Sequence, residues 1–401
     1  MPPKRVLPVI VIAQFAGTSL WFAGNAILPE LKAAFQLSEY AVSLVTSAVM
    51  LGFITGTLVF AIFALADRFS ASRLFLFSSI LGALTNSAVV WFVNDANSLF
   101  IARFLTGVFI AGIYPVGMKL ASDWYDKGLG RAMGWLLGAL VLGTAFPHLL
   151  KNRNFDFPWK IVLYATSLFA IAGGLLIYFF VGDGPHRRKV GSFKWNSIGL
   201  IFGSRNWRKA AFGYFGHMWE LYAFWGFVPI FLELYVNKNG TPFDIPFWSF
   251  TTIGIGALGC IAGGYLSQKH GSAKVASLAP FVSGCCCLLS PFSISFPPPL
   301  FLFFLMVWGF TVSPDSPQFS TLVAQYAPPH LRGTALTIYN SIGFTITIIS
   351  MIVFDRLLHS ATLLSGSNTF VVLALGALTG LPFIYSLARR TTNNSSDIPK
   401  S

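Results

Sequence analysis

The sequence predicts an all-α integral membrane protein: twelve transmembrane helices folded as two pseudo-symmetric six-helix bundles. Three observations predict it. Of 401 residues, 55% are hydrophobic and only 10% charged, with a mean hydropathy of +0.67; a soluble domain carries about 25% charged residues. The apolar residues are gathered into runs long enough to cross ~30 Å of hydrocarbon. Landmarks also repeat at one offset: Arg131 with Arg332 and Asp67 with Gln268, 201 apart, and Pro29 with Pro229, 200 apart. Parallel six-helix repeats are a transporter architecture.

The runs fall at 7–30, 40–66, 73–93, 98–122, 130–150, 160–182, 210–235, 246–267, 273–295, 300–324, 333–354 and 366–387. The first follows Lys4 and Arg5 as a signal peptide would, but continues past twenty residues without a small-residue cleavage site, so it reads as a retained helix. Turns such as Asp67-Arg68, Asn94-Asp95 and Asn237–Gly240 separate the runs. Between helices six and seven lies the one long polar connection, whose stretch Trp195–Phe202 has an amphipathic pattern suited to the membrane surface. Expected boundaries are therefore 1–182 for the first bundle, 183–208 for the connection, 209–390 for the second bundle and 391–401 for a disordered tail.

Lys and Arg fall mostly on the side that carries both termini, which predicts cytoplasmic termini and a cell (inner) membrane location. The formal charge of +13 does not indicate nucleic acid, because the bases sit at helix ends rather than along a groove with stacking aromatics. Cys260 and the run Cys285, Cys286, Cys287 lie in apolar stretches without metal-ligand spacing and read as packing residues. Neither a phosphate-cradling G-x-x-x-x-G-K-[ST] nor H-E-x-x-H or G-x-S-x-G occurs, so neither an ATP-driven pump nor an enzyme is expected, and no cofactor.

Helix seven carries the first candidate for chemistry. Glu220 lies roughly 16 Å along the helix from Lys209, near mid-membrane. A carboxylate costs a few kcal/mol or more to insert there and marks a function by default. His217 stands one turn away, on a face where the two can share a proton or a ligand. In helix ten, Asp315 is bracketed by Pro314 and Pro317; helix four, its repeat partner, has Pro115 in GIYPVG. Paired interruptions are the best sequence pointer to a central site. Arg103 and Tyr114 share a face of helix four. Trp21 and Asn25 of helix one are placed to line a cavity with Tyr222 and Trp225, while Lys119, with Asp123 at i+4, and Gln318 are further candidates.

Over essentially its whole length the chain resembles the major facilitator superfamily. The family's loop signature G-x-L-x-D-R-x-G-R-R is matched after helix two by Leu65, Asp67 and Arg68 of FALADRFSAS, and in the second half by Gly264, Leu266, Lys269 and Gly271 of GYLSQKHGSAK. Phe63 and Ser70 replace glycines, and Gln268 replaces the acid. Arg103 and Gly107 match the family's R-x-x-x-G. Short phrases such as SLWFAGNAILPEL look like a bacterial branch. The drug-antiporter Gly-Pro of helix five is here Phe146-Pro147, and neither the arginines of nitrate porters nor the paired bases of phosphate-ester exchangers are found.

The resemblance implies a monomeric secondary transporter working by alternating access, with a small-molecule substrate. Proton coupling is expected through Glu220 first and Asp315 second, with His217 and Arg103. Asp67 against the N-terminus of helix eleven and Arg68 with Asp123 form the expected cytoplasmic gate, with Arg131 and Arg332 beside it. Cations in one half and acids in the other favour an anionic or zwitterionic organic solute. An exporter of lipophilic compounds and a non-transporting receptor remain the alternatives.

Overall fold

The computed structural model describes residues 3–125, 129–151, 158–186, 198–328 and 331–396. Helix one is α1 (Val6–Thr18) followed by an irregular stretch and α2 (Leu28–Phe35). Helices two and three are α3 (Ala41–Ile62) and α5 (Ala71–Phe92), with the short α4 (Leu65–Arg68) between them. Helix four is split into α6 (Ala96–Ile110) and α7 (Tyr114–Trp124); helices five and six are α8 (Leu129–Leu150) and α9 (Trp159–Leu176). The second half opens with α10 (Ile198–Gly203) and α11 (Arg205–Asn239), then α12 (Ile245–His270) and α13 (Ser272–Ser293). Helix ten is split into α14 (Pro298–Thr311) and α15 (Ser316–Tyr326), and α16 (Arg332–Leu358) and α17 (Ala374–Ser396) close the chain.

Ten helices among the described residues are long and apolar enough to cross a membrane. The broken helix one and the 35-residue α11 make the arrangement consistent with twelve. The repeat is visible in the elements: α5 and α13 are both 22 residues long, and α7 and α15 both 11. α17 runs to Ser396, beyond the boundary at 390 where a disordered tail is expected. Residues 187–197 of the connection and residues 397–401 lie outside the described residues, and α10 forms where the amphipathic stretch ends.

Prolines set the interruptions. Proline has no N–H and its ring clashes with the carbonyl four residues earlier. Pro115 thus opens the ladder at Ala111, and Pro314 and Pro317 open it at Phe310 and Ser313, so both broken helices part at the same depth of their repeats. Pro29 opens the ladder at Asn25, and helix one is irregular from residue 19 to 27. That break is not expected from the repeat, because Pro229, its counterpart, sits inside the continuous α11.

Ends are capped locally. Asp95 and Ser98 form a capping box on α6, and the Ser98 hydroxyl and backbone N–H hold the exposed Asp95 carboxyl below the usual carboxylate range. Its support is therefore complete above that range and fades as pH falls through the lowered value. Gly271 joins α12 to α13 at φ +85°, a conformation that L side chains rarely adopt.

The halves meet along α3 with α16 and along α8 with α12. Beside the second seam, an apolar groove of about 720 Å³ opens between α1, α8 and α12. Its rim residues Ile12, Leu142 and Leu258 are exposed on the apolar outer face.

Candidate functional site

The breaks in helices one, four and ten converge on the interface between the halves. There Tyr114, Tyr214, Tyr222, Trp225, Ser316 and Asn340 are among the residues around a small enclosed cavity of about 30 Å³. Space of that size holds about two waters.

Behind the lining residue Ser316, His217 does not pair with Glu220, although the two lie one turn apart. Its Nδ1 stands 3.0 Å from Asp315 Oδ2, and its Nε2 3.0 Å from the Ser316 hydroxyl. The break before α15 makes this possible, since it leaves Asp315 and Ser316 at a helix start facing α11. Tyr214 and Phe319 pack over the imidazole. Both acid and base are buried, and Asp315 Oδ1 has no hydrogen-bond partner.

Glu220 points the other way, into the second half. It accepts from Trp308 Nε1 at 2.9 Å, the Ser283 hydroxyl at 3.1 Å and Cys287 Sγ at 3.3 Å. Three donors on one carboxylate satisfy its burial within a single bundle, away from the cavity wall.

Arg103 is wholly buried, with no acidic partner among its described bonds. Its Nη1 donates to Asn86 Oδ1 at 2.8 Å, and its Nη2 to the carbonyls of Leu20 at 3.0 Å and Trp21 at 2.8 Å. Those carbonyls belong to the break in helix one, so the guanidinium satisfies backbone that the break exposes. Asn86 donates onward to the Leu163 carbonyl, Thr166 and Ser167, which ties helices one, three, four and six together. Gly107 of the same motif lets α6 back onto α3, where a Cβ would meet the Val49 carbonyl. Arg103→Ala is expected to lower thermal stability, at about 1–3 kcal/mol for each acceptor left without a donor. Unfolding of purified protein checks it; unchanged stability with loss of pH-driven uptake would return Arg103 to a coupling role.

The remaining candidates divide. Trp21 stacks on Tyr222, and both Tyr222 and Trp225 border the cavity. Asn25 donates to Thr46 of α3 at 2.6 Å and Gln318 is buried in α15; neither borders the cavity. Lys119 lies 3.5 Å from the buried Asp123, near the end of α7. Arg68, Arg131 and Arg332 are exposed, and the side chain of Asp67 lies outside the described residues.

The opposite end from the termini carries a seal that sequence reasoning missed. Asp355, fully buried near the end of α16, accepts from the Ser43 backbone N–H at 3.0 Å, in the first turn of α3. An unpaired helix N-terminus favours an anion, so this contact closes one half against the other. His359 Nδ1 lies 3.5 Å from Asp355 Oδ1, and Tyr40 sits edge-on to that imidazole. Sequence signals were faint for this set. Asp355 beside Arg356 reads as an interfacial helix end, and Asn86, Ser283 and Ser316 are polar residues of ordinary membrane-helix type.

Comparison with known proteins agrees with this architecture. The family model described as Major Facilitator Superfamily matches residues 10–352. The chain is 26% identical over 231 residues to the inner membrane metabolite transport protein YgcS of Escherichia coli, covering 49% of each. It is 26% identical over 154 residues to the putative niacin/nicotinamide transporter NiaP of Bacillus subtilis, covering 36% of each. The aligned part spans about half or less of the length of these curated relatives. The crystal structure of the human organic anion transporter MFSD10 (TETRAN) superposes with a TM-score of 0.75 at 15% identity, covering 96% of this chain and 100% of that one.

Proposed function

The chain belongs to the major facilitator superfamily, and from that premise we propose that it is a secondary active transporter of a small organic solute, coupled to protons through the His217–Asp315 pair. The observation that carries this reading is the placement of that pair: buried where helix ten breaks, and joined through His217 to Ser316, which lines the cavity.

The geometry suits a proton carrier. With Asp315 ionised and His217 neutral, Nδ1–H donates to Oδ2 and Nε2 accepts from the Ser316 hydroxyl. A proton arriving at Nε2 needs only a rotation of that hydroxyl, which then accepts. The net charge of the pair moves from −1 to 0. An unbalanced charge costs several kcal/mol to hold away from water. The charged form therefore favours a state in which water reaches the cavity, and the neutral form tolerates closure of both ends. Alternating access follows when the halves rock about the cavity, with the termini in the cytoplasm as the Lys and Arg bias indicates.

On this reading the order of carriers changes: Asp315 with His217 comes first, and Glu220 holds α11 to α13 and α14. Glu220→Gln is expected to cost about 1–3 kcal/mol of stability, because its amide N–H₂ would face donors. Proton-driven uptake into proteoliposomes should persist in Glu220→Gln. Collapse of that uptake with unchanged stability would restore Glu220 as the carrier.

Arg103 and Lys119, whose charges favoured an anionic or zwitterionic solute, stand in other contacts, so the charge of the solute rests on the cavity lining. A second reading, export of lipophilic compounds, is favoured by the apolar groove beside α8 and α12, which faces the hydrocarbon. It predicts a resistance phenotype on expression.

A further inference from the structure

Trp21 of the first half stacks against Tyr222 and Phe344, two aromatic residues of the second half that line the cavity. It lies 5.6 Å from Tyr222 with 25° between the rings, and 5.7 Å from Phe344 with 24°. Trp225 meets Tyr222 edge-on at 5.1 Å. The indole N–H groups of both tryptophans are buried and have no acceptor. Buried donors are ordinarily paired, so one on the cavity-lining Trp225 and one on Trp21, which stacks on the lining residues Tyr222 and Phe344, ask for an acceptor from outside the chain. Among the described residues, no Lys or Arg borders this cavity. The chemistry on offer is flat ring faces and N–H donors, with the His217–Asp315 pair behind Ser316.

We infer that the site takes a planar aromatic or heteroaromatic solute that bears an uncharged hydrogen-bond acceptor and is clasped between Trp21 and Tyr222. The inference rests on the transporter reading for its physiological meaning, but not for its test. Carbon atoms in contact sit about 3.5–4 Å apart, so a ring between two others needs about 7–8 Å from face to face. The two ring centroids now stand 5.6 Å apart, with 25° between the planes, too close for a third ring between them. Insertion therefore has to part the two rings and with them the two halves, because Trp21 belongs to the first half and Tyr222 to the second. A saturated ring is too thick for the same slot and offers no π face. A quaternary ammonium is attracted to the same ring faces but offers no acceptor, so the two indole N–H groups would stay buried and unpaired.

Calorimetric titration of the full chain in lipid nanodiscs with benzamide, cyclohexanecarboxamide and benzyltrimethylammonium tests the assignment. Benzamide should bind at least tenfold more tightly than either of the others. Trp21→Leu should weaken benzamide about tenfold, and Trp21→Phe, which keeps a ring but loses the indole N–H, should weaken it by less. Tyr222→Leu should behave as Trp21→Leu does, and guards against a single variant that fails to fold. Equal affinity for the saturated amide, preference for the cation, or no heat from benzamide up to millimolar concentration would each overturn the assignment. Binding without proton-driven flux would sink the transporter reading and leave this one standing.

Discussion

Asp315→Asn is expected to abolish accumulation driven by a pH gradient while leaving exchange intact. One pH unit is worth about 1.4 kcal/mol per proton, so a two-unit gradient moving one proton per solute supports about 100-fold accumulation. The asparagine Oδ1 still accepts from His217 Nδ1–H, so the site keeps its shape and loses only its ability to titrate. The accumulation ratio should fall to near one. Counterflow of labelled against unlabelled solute, which needs no net proton movement, should continue. Proteoliposome uptake measured both ways decides it: a ratio that stays near 100 would remove Asp315 from the proton path. A deeper loss, with counterflow also gone, would assign Asp315 to solute binding instead.

Asp355→Asn is expected to open the end opposite the termini. A hydrogen bond to a charged group is worth about 1.5–3 kcal/mol, so a seal of this strength holds the population toward closure by roughly 10- to 100-fold. The substitution keeps the side-chain volume and removes the charge that meets the first turn of α3. Ser47, one turn further along α3 and buried beneath the seal, supplies a reporter. Labelling of Ser47→Cys by a membrane-impermeant maleimide should speed up at least tenfold when Asp355→Asn is added. Asp95→Asn, at the same end but on an exposed cap, should leave the rate alone. Equal rates in the presence and absence of Asp355→Asn would show that the contact does not hold this end shut.

Much of the fold was legible because the membrane reduces the problem. Runs of about twenty apolar residues can do little but cross, and prolines inside them mark where the ladder parts. Pro115, Pro314 and Pro317 thus located the breaks in helices four and ten directly. Pro29 is legible as a repeat landmark but the break it opens in helix one is not, because Pro229 at the matching position leaves α11 continuous. One proline predicts a local cost; whether the helix bends, breaks or absorbs it depends on what neighbours satisfy the freed carbonyls. Arg103 does so for Leu20 and Trp21.

The candidate site was legible as a set of residues and not as a set of partners. Spacing along one helix placed His217 and Glu220 on neighbouring turns and suggested that they act together. They part because each meets a different helix: His217 faces the start of α15, and Glu220 faces α13 and α14. By itself, the sequence determined that this chain lives in a membrane, that it repeats, and that His217, Glu220 and Asp315 sit within apolar spans. Only the tertiary structure decided that His217 belongs to Asp315, that Arg103 serves backbone carbonyls, and that Asp355 meets Ser43. The physical reason is range. Hydropathy and helical period act over a few residues and set which groups are buried. Pairing is set by the rotation and packing of helices whose contacts lie 99 residues apart for His217 and Ser316, and 312 apart for Ser43 and Asp355.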